Sequence, residues 1–147
     1  MKMENESFDE RQLQIRGDIF KHGFLTAGAL VLFNAFLQGE GIGWANGFQQ
    51  NILILVLAVT VVSVEFHLRG VYFGKTGRRE AFIAIFGLCS VFLLALPIIH
   101  FTQGEGFVSV SILSDNGFYF IGGILFAINT ICALIQLFRE KQSERDN

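Results

Sequence analysis

The chain has 147 residues, a formal net charge of −2 and 52% apolar residues, with a mean hydropathy of +0.50. That length has room for one compact domain, and the balance of charge gives no basic field of the kind nucleic acid requires. The apolar residues come in four blocks of about 20, the length a helix needs to cross ~30 Å of hydrocarbon, not in the short alternations of a soluble core.

The first six residues carry no structural signal. Ser7-Phe8-Asp9-Glu10 then has the form of a capping box, with Ser7 accepting from the backbone of Glu10. Phe8, Ile15 and Ile19 recur at helical spacing, as do Leu13 and Phe20. The pattern predicts an amphipathic segment over 1–18 on the cytoplasmic surface, with a bend at Gly17 before the first span. Spans are expected at 19–38, 48–68, 81–101 and 118–138. The first is expected to be a signal anchor, since no small-residue cleavage site follows it. The connection after span 1, Gly-Glu-Gly-Ile-Gly-Trp44-Ala-Asn-Gly47, is short, which makes spans 1 and 2 antiparallel neighbours. Its Trp44 suits the membrane–water interface. In the third connection, 107–113 alternates like a short strand or an interfacial segment. Pro97 is expected to kink or end span 3.

All eleven Lys and Arg residues fall in three groups. Lys2, Arg11, Arg16 and Lys21 precede or open span 1. Arg69, Lys75, Arg78 and Arg79 lie between spans 2 and 3, and Arg139, Lys141 and Arg145 follow span 4. The other two connections hold only the acids Glu40, Glu105 and Asp115. By the positive-inside rule both termini and the middle connection are cytoplasmic. The expected object is an all-α, four-span antiparallel bundle in the plasma membrane.

Glu65 is the most unusual residue, following the mostly apolar run 52–64 near the inner end of span 2. An ionisable group there is a functional candidate by default. Arg69, four residues on, offers the simpler reading of an interfacial ion pair. His22 and His67 lie near the same boundary, so His22, Glu65, His67 and Arg69 form a candidate polar cluster for a ligand, a metal or a proton. Glu65 and His67 are two apart and do not share a helical face, which speaks against a metal site. His100 reads as interfacial. Gly70-Val-Tyr-Phe-Gly74-Lys75-Thr76 has one residue too few for a phosphate-binding P-loop and follows no strand. Cys89 and Cys132 read as small buried hydrophobes, and no cysteine is placed for an outer disulfide. No catalytic set, metal box or cofactor motif is recognised.

Small residues mark places of close helix approach: Gly23 and Gly28 in span 1, Ala84, Gly87 and Ser90 in span 3, and Gly123 and Ala127 in span 4. Asn34, Asn129, Thr130 and Gln136 are expected to hydrogen-bond between helices.

Asp9-Glu10-Arg11-Gln12, followed by Arg16-Gly17, Phe20 and Gly23-Phe24, resembles the start of small bacterial membrane proteins that belong to domain families of unknown function. The likeness covers the first 25 residues or so and the four-span layout. It implies a bacterial plasma-membrane protein with no established activity, and a partner-binding role. Asp9, Glu10, Arg11, Gln12 and Arg16 are the candidate docking surface, together with the middle connection and the tail from Arg139. Asp9 and Glu10 also suit the positive end of a helix.

The expectation from sequence is therefore a non-enzymatic membrane protein that touches the lipid bilayer and acts through self-assembly, as a homo-oligomer, or through a protein partner. One alternative is a small oligomeric transporter or channel using Glu65, His22 and His67. The second is a membrane enzyme acting on lipid at the inner interface.

Overall fold

A computed structural model describes residues 9–72, 79–102 and 113–145. It contains four helices: α1 (Glu10–Gly39), α2 (Gly47–Leu68), α3 (Arg79–Thr102) and α4 (Asp115–Arg145). All four are long and apolar enough to cross a membrane. There is no strand among the described residues, so the all-α four-helix bundle expected from the sequence is what the chain forms. The Ser7 cap, the segment 107–112 and most of the middle connection, including Gly74, Lys75 and Arg78, lie outside the described residues.

Local chemistry sets the helix ends. Asp9, not Ser7, is the cap of α1. Its carboxylate accepts from the backbone of Gln12 at 2.7 Å, and the Gln12 side chain returns a bond to the Asp9 N–H. α1 then runs unbroken through Gly17 into the apolar run, because nothing packs there to open the backbone. Asn46 and Gln49 form the same reciprocal box at the start of α2. Gly41 and Gly70 stand at φ 74° and 68°, where only glycine is unstrained. Each closes a helix by paired backbone bonds, from Gly41 and Ile42 to Gln38 and Leu37, and from Gly70 and Val71 to His67 and Phe66. Pro97 neither ends nor divides α3, which continues to Thr102 with the proline buried.

The helices do not surround a common axis. α1 packs on α2, α2 on α4 and α4 on α3, giving the spatial order α1–α2–α4–α3. α2 and α4 run parallel, as shown by partners at both ends: Gln49 with Asp115 and His67 with Gln136. One end of the bundle, here the basic end, gathers the start of α1, the end of α2, the start of α3 and the end of α4. The other is the Trp44 end. Between their ends the helices turn mainly apolar side chains outward, with Phe24, Leu32, Leu88 and Phe92 among the most exposed. Such faces suit lipid, which satisfies no backbone group but dissolves these side chains.

Gly123 lets α3 approach α4, since a Cβ there would lie 2.7 Å from Leu94 Cγ and 3.1 Å from the Leu94 backbone nitrogen. Ser90 Oγ donates to the Gly123 carbonyl oxygen across the same contact. Gly87 faces Thr130 at ordinary contact distance. Gly23 lets α1 approach α2, because a Cβ there would collide with Val62. Among the described residues nothing lies within 4 Å of where a Cβ at Gly28 would stand, and Ala84 is exposed.

Candidate functional site

α2 carries the polar side chains, and they divide between its two neighbours. Positions 49, 53, 56, 60, 63 and 67 fall on one stripe at 3.6 residues per turn, and Gln49, Thr60 and His67 of this stripe meet α4. Gln49 donates to Asp115 at 2.6 Å, Asn129 donates to Thr60 at 3.2 Å, and His67 Nδ1 meets the Gln136 amide oxygen at 2.9 Å. Gln49, Thr60, His67, Asn129 and Gln136 are all buried. The last rung extends to the basic end, where Gln136 donates to Glu140 at 3.0 Å and Glu140 pairs with Arg79 at the start of α3. From Thr60 to His67 the stripe holds Thr60, Ser63 and His67, so its half toward the basic end is polar over about 10 Å. Between Gln49 and Thr60, about 16 Å along the helix, the facing positions are Leu53 and Leu125.

His67 is wrapped by aromatic rings. It stacks on Tyr72 at 4.2 Å, and Phe82 lies 5.5 Å away. Phe82 stacks on Phe86, which meets Phe126 of α4.

The predicted cluster of four therefore splits. His22, Glu65 and Arg69 come together: His22 Nδ1 lies 3.0 and 3.1 Å from the two Glu65 oxygens, and Arg69 bonds the same carboxylate at 2.5 Å. His67 does not join them. Two residues along a helix turn a side chain about 200° away, so His67 points to α4 while Glu65 points to α1. Glu65 is about one-fifth exposed and His22 half exposed, which makes this a surface triad at the basic end. Among the described residues no group of three or more His, Cys, Asp and Glu side chains is placed to hold a metal.

The predicted docking residues also divide. Asp9 and Gln12 are used in the helix cap. Arg16 folds inward, donating to the Val71 carbonyl oxygen at 2.6 Å and lying 4.9 Å over the Phe66 ring. Glu10 and Arg11 remain exposed. Trp44 is more than an interfacial ring: its indole N–H donates to Asn34 at 2.8 Å and folds the first connection back onto α1. Behind it lies an apolar cleft of about 330 Å³ among α1, α2 and α4, floored by Leu53 and Leu125. Cys89 and Cys132 are free thiols.

Thr60, Gln49, Asp115, Arg79 and Glu140 are absent from the sequence-derived cluster. A signal for them exists in the spacing. Gln49, Thr60 and His67 are separated by 11 and 7 residues, and Asn129, Gln136 and Glu140 by 7 and 4, intervals that return to one helical face.

Length, composition and packing together define an all-α, multi-pass membrane protein whose central helix pair is joined by buried hydrogen bonds. Compared with known protein families, curated proteins and solved structures, the chain matches none.

Proposed function

We propose that the protein is a non-enzymatic component of a bacterial plasma membrane, with its basic end in the cytoplasm, and that it acts by assembling with a second copy of itself through α1. The observation that carries this reading is the placement of α1, which has α2 as its one packing neighbour among the described helices. Its outward face bears Gly17, Gly28 and Gly39, eleven residues apart and thus in line on the helix. None of the three has an atom within 4 Å of where a Cβ would stand. Glycine weakens a helix and repays that cost where another backbone comes close, as Gly23 does on the opposite face. The distribution of Lys and Arg supports the orientation.

Native mass spectrometry of the full chain released gently from its membrane tests the reading. A dimer is expected, and Gly28→Leu should return it to a folded monomer, since no neighbour in the protomer meets that side chain. A wild-type protein that stays monomeric, or dimerises equally well with Gly28→Leu, would overturn it. Stoichiometric capture of a different protein in place of the second copy would overturn the self-assembly part.

Transport is the second reading, and the polar half of the α2–α4 seam is what favours it. Asn129 Oδ1 is buried there with no hydrogen-bond partner among the described residues, the kind of group that takes a water or an ion. Leu53 and Leu125 interrupt the route toward the Trp44 end. Proton or cation flux into vesicles that is lost with Asn129→Leu would favour transport over assembly.

A further inference from the structure

The apolar cleft behind Trp44 has one polar side chain in its wall with bonding capacity to spare. Asn34 lines the cleft and is only 8% exposed. The indole N–H of Trp44 can only donate, so its bond to Asn34 turns the amide oxygen toward Trp44 and the nitrogen away. Among the described residues the Asn34 NH2 group has no hydrogen-bond partner. A buried amide donor is costly where neither water nor protein satisfies it. Apart from Asn34 and the indole, only hydrocarbon side chains line the cleft. The connection that carries Trp44 is itself fixed in place. Gln38 donates to Gln50 at 2.6 Å, and Gln50 donates to the Ala45 carbonyl oxygen at 2.8 Å.

We infer that this cleft binds the ring of an isoprenoid quinone from the surrounding bilayer, with one ring carbonyl oxygen accepting from the Asn34 NH2 group. The lining selects the chemistry. No charged side chain borders the cleft, so its occupant is neutral, and its one free polar function is a donor, so the occupant brings an acceptor. Size selects a ring over an acyl chain. From Leu30 to Leu37 the cleft covers about 10 Å of α1, and from Leu53 to Leu57 about 6 Å of α2. A stretched acyl chain needs about 15 Å, half of the ~30 Å hydrocarbon core. A volume of about 330 Å³ in so short a span is broad, and Phe33 and Trp44 give it aromatic walls. The packing provides the entrance. Among the described helices α1 and α4 each pack on α2 and not on each other, so the cleft between them has an open side toward lipid. A quinone enters there without crossing water, and its isoprenoid tail stays in the bilayer. Leu30, Phe33, Asn34 and Leu37 stand on the face of α1 opposite Gly28, so the site does not depend on assembly through α1.

Trp44 is the one tryptophan of the chain, so its fluorescence reports directly on the cleft. The test titrates the full chain in neutral detergent with a menaquinone bearing a single isoprene unit, whose ring quenches indole emission on contact. Quenching should saturate at one quinone per protomer. Asn34→Leu removes the donor and should weaken binding about three- to tenfold, the worth of one hydrogen bond. Asn34 also holds Trp44, so Ile121→Phe supplies an independent variant. It fills the cleft from the α4 side, should leave the emission of the unliganded protein unchanged and should weaken binding as well. Quenching that rises in proportion to quinone without saturating would overturn the site, as would unchanged affinity in Asn34→Leu or in Ile121→Phe. Displacement of the quinone by an equal amount of phosphatidylcholine would make an acyl ester the occupant and would overturn the quinone assignment.

Discussion

α2 meets α4 and α1 in two different ways. Against α4 it is parallel and hydrogen-bonded at three depths, by Gln49–Asp115, Thr60–Asn129 and His67–Gln136. Against α1 it is antiparallel, and the side-chain hydrogen bonds described are at the extremities, Gln38 with Gln50 and His22 with Glu65. Between those ends the α1 contact is steric, centred on Gly23 and Val62. The difference matters because lipid tails are as apolar as Leu and do not drive helices together. Hydrogen bonds fix the register of the α2–α4 pair, since sliding by one residue would strip three buried partners at once. The α1 seam has only shape to hold it in the membrane interior, and shape leaves hollows.

Overpacking the steric seam should produce the largest effect. Gly23→Val places two methyl groups where even a Cβ collides with Val62. The expected cost is about 1–3 kcal/mol, the usual range for overpacking. The damage should stay local, with faster hydrogen exchange across α1 and unchanged exchange in α4. Equal loosening of α2, α3 and α4 would show that the two seams are not independent. Gly28→Ala is the matched control, because the open face should accept it with no loss of monomer stability.

The hydrogen-bonded seam should respond less to any single change. Asn129→Leu removes the middle rung, and a cycle with Thr60→Val isolates the pair. Interhelical bonds in membrane proteins average about 0.6 kcal/mol and reach about 1.7. Equilibrium unfolding in mixed micelles should give a coupling within that range. A coupling near zero would mean that Leu53 and Leu125, not the polar rungs, set the register.

The fold was legible because spans announce themselves by length and apolarity alone. Each of the four helices contains one apolar run of the sequence. The order α1–α2–α4–α3 was not legible, since Gln49, Thr60 and His67 name a face without naming the helix it meets. Cluster membership failed for a related reason. Glu65, His67 and Arg69 are adjacent in the chain, but a helix sends Glu65 and Arg69 to one side and His67 to the other. Arg16 was read as a solvent-facing docking charge because its partners, the carbonyl oxygens of Val71 and Tyr72, carry no sequence signature. The shift of the α1 cap from Ser7 to Asp9 has a simple cause. Gln12 stands three residues after Asp9, and the two side chains close a reciprocal box at the helix start.

Tyr72 sharpens the comparison at the basic end of the α1 seam. Burial raises its pKa above the ordinary 10.0, partly opposed by the charge of Arg16. The sign of the stability effect follows. Below pH 10 the phenol is neutral in both states and pH has no effect through it. As pH rises past 10 the unfolded chain loses the proton first, so stability falls. Tyr72→Phe should flatten this alkaline decline and leave the neutral range unchanged, as read from unfolding midpoints between pH 8 and 11. A decline of the same slope in both proteins would place Tyr72 in water.

Glu65→Gln should have the smallest effect of all, despite being the change the sequence singles out. The carboxylate is shared between Arg69, 42% exposed, and His22, 51% exposed. Ion pairs at such accessible positions contribute about 0–1 kcal/mol, because water and salt screen them. The glutamine can still accept one hydrogen bond from Arg69, and no deep polar group depends on the charge. Unfolding free energy should therefore move by less than ~1 kcal/mol, with the difference shrinking further at high salt. A larger loss that salt leaves untouched would mean that the triad is shielded in the membrane, as it would be if a second copy covered the hairpin at this end. The same substitution thus separates a surface ion pair from a contact buried by assembly.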